Sequence, residues 1–239
     1  MAANQWEHNG TNSPSQHHTN SHPKNATPRR PPRGCPAADQ AVFLDEQLTP
    51  ALTAAQAGQG HVFFVDAAHF VYGTYLCYLW SFTRLFVRAA SGRQRFNVLG
   101  AWNAVTRQLV AVPNATVVNT ATMCELLHKI ATLGLTGPIT LVLDNARYQR
   151  NTVVIACAEQ LGIRLLFLPS YSPNLNLIER LWKFLKRRSL YGRYHPTFAD
   201  FRSAIEQTLA NIPNTHASDL ATLMTLNFQR FENVSLMTA

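Results

Sequence analysis

The chain has 239 residues, enough for one sizeable core and a tight fit for two domains of ordinary size. Hydrophobic residues make up 46%, and 21 Lys+Arg against 13 Asp+Glu give a formal net charge of +8, which favours an anionic partner, nucleic acid ahead of a membrane surface. A membrane span is not expected, because the best apolar run, residues 62–80, is broken by Asp66 and His69, and the N-terminus lacks the apolar centre of a signal peptide.

Residues 1–40 contain no Leu, Ile, Val, Phe or Tyr and hold six of the thirteen prolines, so they are expected to be a disordered tail. His8, His17, His18 and His22 cluster there without carboxylates or cysteines at ligand spacing, and Arg29, Arg30 and Arg33 stand among prolines. The four cysteines, Cys35, Cys77, Cys124 and Cys157, lack metal-like or redox-like spacing and are expected to be reduced thiols in a cytosol.

Residues 42–57 have the apolar spacing of a short helix, with Val42, Phe43, Leu44, Leu48, Leu52 and Ala55 turned inward and Gly58 and Gly60 ending it. The run His61-Val62-Phe63-Phe64-Val65-Asp66 predicts a buried strand with Asp66 at its carboxyl end. His69 is expected to be structural or supporting. Antiparallel strands are expected around residues 78–87, 96–102 and 108–112, with Arg84, Arg88, Arg93 and Arg95 crowding one hairpin as a phosphate-facing patch or a solvated face. A helix follows over 121–133 through Met123, Leu126, Leu127 and Ile130. Residues 139–144 then form a second apolar strand that again finishes on an aspartate, Asp144. If the two strands are parallel neighbours, their aspartates converge at one sheet edge. Residues 145–162 read as a helix and 164–168 as a further strand.

The most informative stretch is 168–188. Ser172 and Pro173 read as cap and first position of a helix, and Leu177, Ile178, Leu181, Trp182 and Leu185 form its apolar stripe, with Trp182 read as core. Glu179 falls at the edge of that stripe, beside Lys183 and Lys186. The plain alternative for it is a surface pair with Lys183, worth about 0.3–0.5 kcal/mol. Residues 197–200 resemble a capping box opening a helix with Phe198, Phe201, Ile205 and Leu209 inside; residues 218–226 read as one more helix, with Phe228, Phe231 and Val234 packing back.

Asp66, Asp144 and Glu179, brought to one point, make an oxygen-only donor set of the kind hard Mg²⁺ takes, together with substrate phosphate oxygens. Two ions about 3.5–4 Å apart would activate the attacking oxygen and stabilise the leaving one in an in-line displacement at a phosphodiester.

The order strand-Asp66, strand-Asp144 with Asn145, then Ser172-Pro173-Asn174-Leu175-Asn176-Leu177-Ile178-Glu179-Arg180-Leu181-Trp182, with 34 residues between Asp144 and Glu179, resembles the DDE transposases of the mariner superfamily, and most nearly their bacterial insertion-sequence branch. The blocks 65–70, 92–100, 141–146 and 170–186 carry the resemblance, which extends over about 36–234. It implies an α/β, ribonuclease H-like fold, a mixed five-stranded sheet flanked by helices, as a catalytic domain over 41–239. It implies Asp66, Asp144 and Glu179 as catalytic metal ligands for two Mg²⁺ or Mn²⁺ ions. The implied partners are double-stranded DNA, as transposon ends and target, with Lys183, Lys186, Arg187 and Arg188 on its backbone and Arg147 and Arg150 as further contacts. A homodimer is compatible with the resemblance, and a cytoplasmic, nucleoid-associated place is implied. The implied chemistry is hydrolysis at transposon ends and attack of the freed 3′ hydroxyl on target DNA. Family members place helix-turn-helix domains ahead of the catalytic domain, so the chain is expected to be a catalytic half, from a truncated gene or one frame of a split one. Two alternatives stand beside this: a non-catalytic DNA-binding or dimerising fragment, and a different ribonuclease H-like nuclease such as a junction resolvase.

Overall fold

The computed structural model describes residues 37–75, 82, 86, 88 and 92–229. Five strands form one sheet in the order β3-β2-β1-β4-β5, built from β1 (His61–Val71), β2 (Arg95–Asn103), β3 (Leu109–Asn114), β4 (Ile139–Leu143) and β5 (Ile163–Phe167). β1 pairs antiparallel with β2 and parallel with β4; β2–β3 is antiparallel and β4–β5 parallel. This is the mixed five-stranded sheet expected. The predicted strand at 78–87 lies outside the described residues apart from Phe82 and Phe86.

Both faces of the sheet are covered, so Val62 to Val65 of β1 and most of β4 read as apolar runs, and the two-residue pleat sorts their side chains into two cores. Phe63, Val65, Leu141 and Leu143 pack with Met123, Leu126, Leu127 and Ile130 of α3 (Thr120–Ala131) and Val154 of α4 (Thr152–Gln160). Phe64, Ala68, Phe70 and Val142 face the other side. There they meet α1 (Ala37–Phe43), a π-helical turn (Leu44–Leu48), α2 (Thr49–Gln56), α5 (Ile178–Ser189), α6 (Phe198–Ala210) and α7 (Ala217–Leu223).

Several boundaries differ from the sequence reading. Residues 37–40, read as tail, are the first turn of α1, while 1–36 lie outside the described residues. Val42 faces solvent at 51% exposure, because Phe43, Leu44 and Leu48 occupy the inward positions. The helix expected from 145 begins at Thr152, where the Asn151 side chain accepts the Val153 N–H; residues before it form turns. Of the expected C-terminal packing, the Phe228 ring packs tilted against Phe64 with centroids 5.8 Å apart, and Phe231 and Val234 lie outside the described residues. The capping box at Thr197 and Asp200 forms as expected.

Candidate active site

Asp66 is not at the end of its strand. β4 accompanies β1 only as far as the Val65–Leu143 pair, but β2 goes on pairing with β1 through Asp66–Gly100 to Val71–Arg95, so β1 continues five residues beyond Asp66. Asp66 stands where one neighbouring strand runs out, and Asp144 is the next residue of that departing strand. Since Val65 and Leu143 both point to the α3 side, the pleat turns the next position of each strand toward α5.

The third carboxylate arrives by a different route. Pro173–Leu175 is an isolated 3-10 turn, Asn176 is extended, and α5 starts only at Ile178, so Ser172 does not cap it as expected. The Ser172 hydroxyl instead donates to the Ser170 carbonyl. What sets the start of α5 is Asn176: its buried Nδ2 donates to the Val65 carbonyl at 3.2 Å, and its carbonyl accepts the Glu179 N–H at 3.2 Å. Glu179 thereby sits in the first turn of α5, beside the point where β1 and β4 part. Among the described residues no ion pair joins it to Lys183.

Asp66, Asp144 and Glu179 line one cavity of about 380 Å³, together with Asn145, Asn176 and residues of the 168–173 loop. Asp66 Oδ2 accepts the Trp182 indole N–H at 3.0 Å, and Asp144 Oδ1 accepts the Ala146 N–H at 3.2 Å. Trp182 is buried as expected, and it has this second task besides. Its ring lies against Gly100, where an added Cβ would stand 2.6 Å from Trp182 Cη2. Burial pushes the Asp66 carboxyl up to about 7; negative charge on Glu179 and Asp144 adds to this, and the Ala67 and Trp182 N–H groups oppose it. The Tyr148 hydroxyl is pushed well above its ordinary range by burial and then by Asp144 and Asp66, which keeps it neutral.

Among the described residues no Lys, Arg or His nitrogen lies within 4 Å of any of the three carboxylates. Asn176 Oδ1, buried in the same wall, has no hydrogen-bond partner. Uncompensated oxygens of this kind fit a hard divalent cation in charge and donor chemistry. Among the described residues no three His, Cys, Asp or Glu side chains close around a single ion, so the trio lines the cavity as separated carboxylates.

The basic residues expected on DNA divide into two sets. Lys183 and Arg187 are exposed and line a cavity along α5, and Arg147 is exposed beyond Asp144. The others have protein partners: Arg188 pairs with Asp219, Arg150 donates to Asn145 Oδ1 and lies 4.7 Å from the Phe167 ring, and Lys186 lies 6.0 Å from the Phe70 ring. Sequence reasoning assigned no role to Asn176 or Gly100. A polar residue inside the apolar run 175–178 was the available signal for the first; nothing periodic marked the second.

Residues 61–202 match the model of the family described as DDE superfamily endonuclease. No curated protein matches by sequence. Among solved structures the chain is similar to the Mos1 strand transfer complex at TM-score 0.55 and 14% identity, covering 86% of this chain and 66% of that one. It is also similar to the Mos1 transposase paired-end complex with left transposon end at 0.54 and 12%, covering 85% and 69%. A third, the mariner Mos1 paired end complex with Mg, gives 0.53 and 12%, covering 82% and 63%. This chain thus spans about two thirds of the Mos1 chains, and at such identities the likeness shows a shared ribonuclease H-like fold. Among the described residues no helix is long and apolar enough to cross a membrane.

Proposed function

The chain belongs to the DDE superfamily of endonucleases, and on that premise we propose that it is the catalytic domain of a mariner-type transposase of the bacterial insertion-sequence branch. It cleaves DNA at transposon ends and joins the freed 3′ hydroxyl to target DNA. The observation that carries this reading is the convergence of Asp66, Asp144 and Glu179, from two parallel strands and a helix, on one cavity with no cationic partner among the described residues. The domain is taken from Ala37 onward, and the Mos1 complexes with a transposon end and with Mg support DNA and divalent metal as its partners.

Asp66, Asp144 and Glu179 are the residues that would hold Mg²⁺ or Mn²⁺, with Asn176 Oδ1 as a neutral oxygen beside them. When bound, the metal supplies positive charge for the scissile phosphate and for the attacking and leaving oxygens. The protein's share is orientation. Trp182 holds Asp66 Oδ2 and so fixes the carboxylate in the cavity wall. The Ala146 N–H holds Asp144 Oδ1, and the Asn176 bond to Val65 keeps the first turn of α5, and so Glu179, against β1. Lys183 and Arg187 supply positive charge for the DNA backbone beside the cavity, with Lys186, Arg188, Arg147 and Arg150 in lesser roles.

The test is strand transfer by the purified chain, with Mg²⁺ or Mn²⁺, from a pre-cut oligonucleotide with a free 3′ hydroxyl into supercoiled plasmid. Joining by the wild type with metal, absent in Asp144→Asn, is expected; equal joining by both proteins sinks the assignment.

A further inference from the structure

α5 carries a second pattern on the ridge that begins at the carboxylates. Glu179, Lys183 and Arg187 recur every four residues, about 6 Å apart along the axis, and Tyr191 follows the last turn at the same interval. This ridge borders three successive cavities. The carboxylate cavity shares Pro173, Asn176 and Glu179 with a second of about 390 Å³. The second shares Arg180 and Lys183 with a third, also about 390 Å³, which is closed by Phe184, Arg187, Tyr191 and Leu223. A trough therefore leaves the carboxylates, passes Arg180, Lys183 and Arg187, and ends between aromatic and aliphatic side chains.

The side chains along it are built for a ligand from outside. Arg180 is committed within the protein, donating to the carbonyls of Leu223, Thr225 and Asn227. Lys183 and Arg187 make no ion pair among the described residues. Tyr191 is held in place by a backbone bridge to Tyr75 and by its ring stacking on Tyr75 with centroids 6.2 Å apart, yet it is 41% exposed; Leu223 is 37% exposed.

We propose that this trough binds an unpaired DNA strand leading from the scissile phosphate, with successive phosphates at Lys183 and Arg187 and a base lodged against Tyr191 and Leu223. Charge spaced at one helical turn matches successive phosphates along one strand, and a preset aromatic face suits an unstacked base of any sequence. A duplex offers no free base face to the terminal pocket. The inference rests on the transposase reading and adds to it the form of the substrate.

Binding decides it without cleavage. In the Asp144→Asn background, with Mg²⁺, fluorescence anisotropy compares a labelled blunt duplex with the same duplex carrying a short single-stranded 3′ extension that contains 2-aminopurine. The extension is expected to tighten binding about fivefold or more and to quench the 2-aminopurine. Tyr191→Ala and Leu223→Glu should abolish both gains, while Tyr191→Phe keeps them and shows that the aromatic face is what matters. Lys183→Gln and Arg187→Gln should each lower the salt dependence of binding to the extended duplex by about 0.7 in log–log slope. Equal binding of blunt and extended duplexes, or unchanged quenching in Leu223→Glu, overturns the proposal. No binding of either DNA would remove the transposase reading too, whereas tight blunt-duplex binding with no gain from the extension removes this inference alone.

Discussion

Trp182 Nε1 donates to Asp66 Oδ2 across 3.0 Å, and the indole reaches that point only because residue 100, the partner of Asp66 on β2, has no side chain. The core of α5 and the geometry of the carboxylate cavity are thus joined through one ring.

Trp182→Phe keeps most of the ring's bulk and deletes the N–H. It should cost about 1–2 kcal/mol in stability and lower strand transfer at least tenfold, because Asp66 loses the donor that fixes its rotamer. Chemical denaturation and a single-turnover assay check the two parts. Gly100→Ala should act on the same ring from behind, at about 1–3 kcal/mol from overpacking, with a parallel fall in activity.

Asp66 also carries a pH signature. Its folded-state value near 7 lies above the ordinary 3.8, so between those values the native chain holds a proton that the unfolded chain has lost. Stability therefore falls as pH rises from about 4 to 7 and stays reduced above that. Asp66→Asn should be neutral near pH 4 and more stable than wild type at pH 8, by on the order of 2–4 kcal/mol, as read from denaturant midpoints without metal. A wild type that matches or exceeds Asp66→Asn at pH 8 would refute the burial argument.

Mg²⁺ or Mn²⁺ should relieve that same repulsion. Millimolar metal is expected to raise the melting temperature of the wild type by a few degrees, and EDTA to reverse it. Asp144→Asn and Glu179→Gln should each blunt the rise. A rise of the same size in both variants would place the metal elsewhere.

Arg180 ties the end of α7 and the segment after it to α5 through three carbonyls, at 3.3, 2.7 and 2.6 Å for Leu223, Thr225 and Asn227. Arg180→Ala should cost about 1–3 kcal/mol, since the carbonyls are partly wet. Hydrogen exchange should quicken over 223–229 before it quickens in β1.

The sequence made Asp66 and Asp144 legible because each is a lone charge closing an apolar run, and Glu179 legible through the block that precedes it and its spacing from Asp144; the face shared by the two aspartates follows from counting positions along their strands. It did not show that β1 outlasts Asp66, since that depends on hydrogen bonds from β2, a partner 34 residues later along the chain. Nor could it place the start of α5. Ser172 and Pro173 are good opening residues locally, but Asn176 finds a better partner in the Val65 carbonyl, 111 residues away. Trp182 read as core and is core; its bond to Asp66 is invisible to periodicity. Gly100 is informative only once a ring is seen against it.

The central strand is made early in the chain and α5 late, with 113 positions separating Asp66 from Glu179. During synthesis the first two carboxylates leave the ribosome without the third, and the helix that carries it also roofs the sheet. A nascent chain therefore lacks the complete carboxylate trio until the last helices dock, and the cavity is assembled in that one late step.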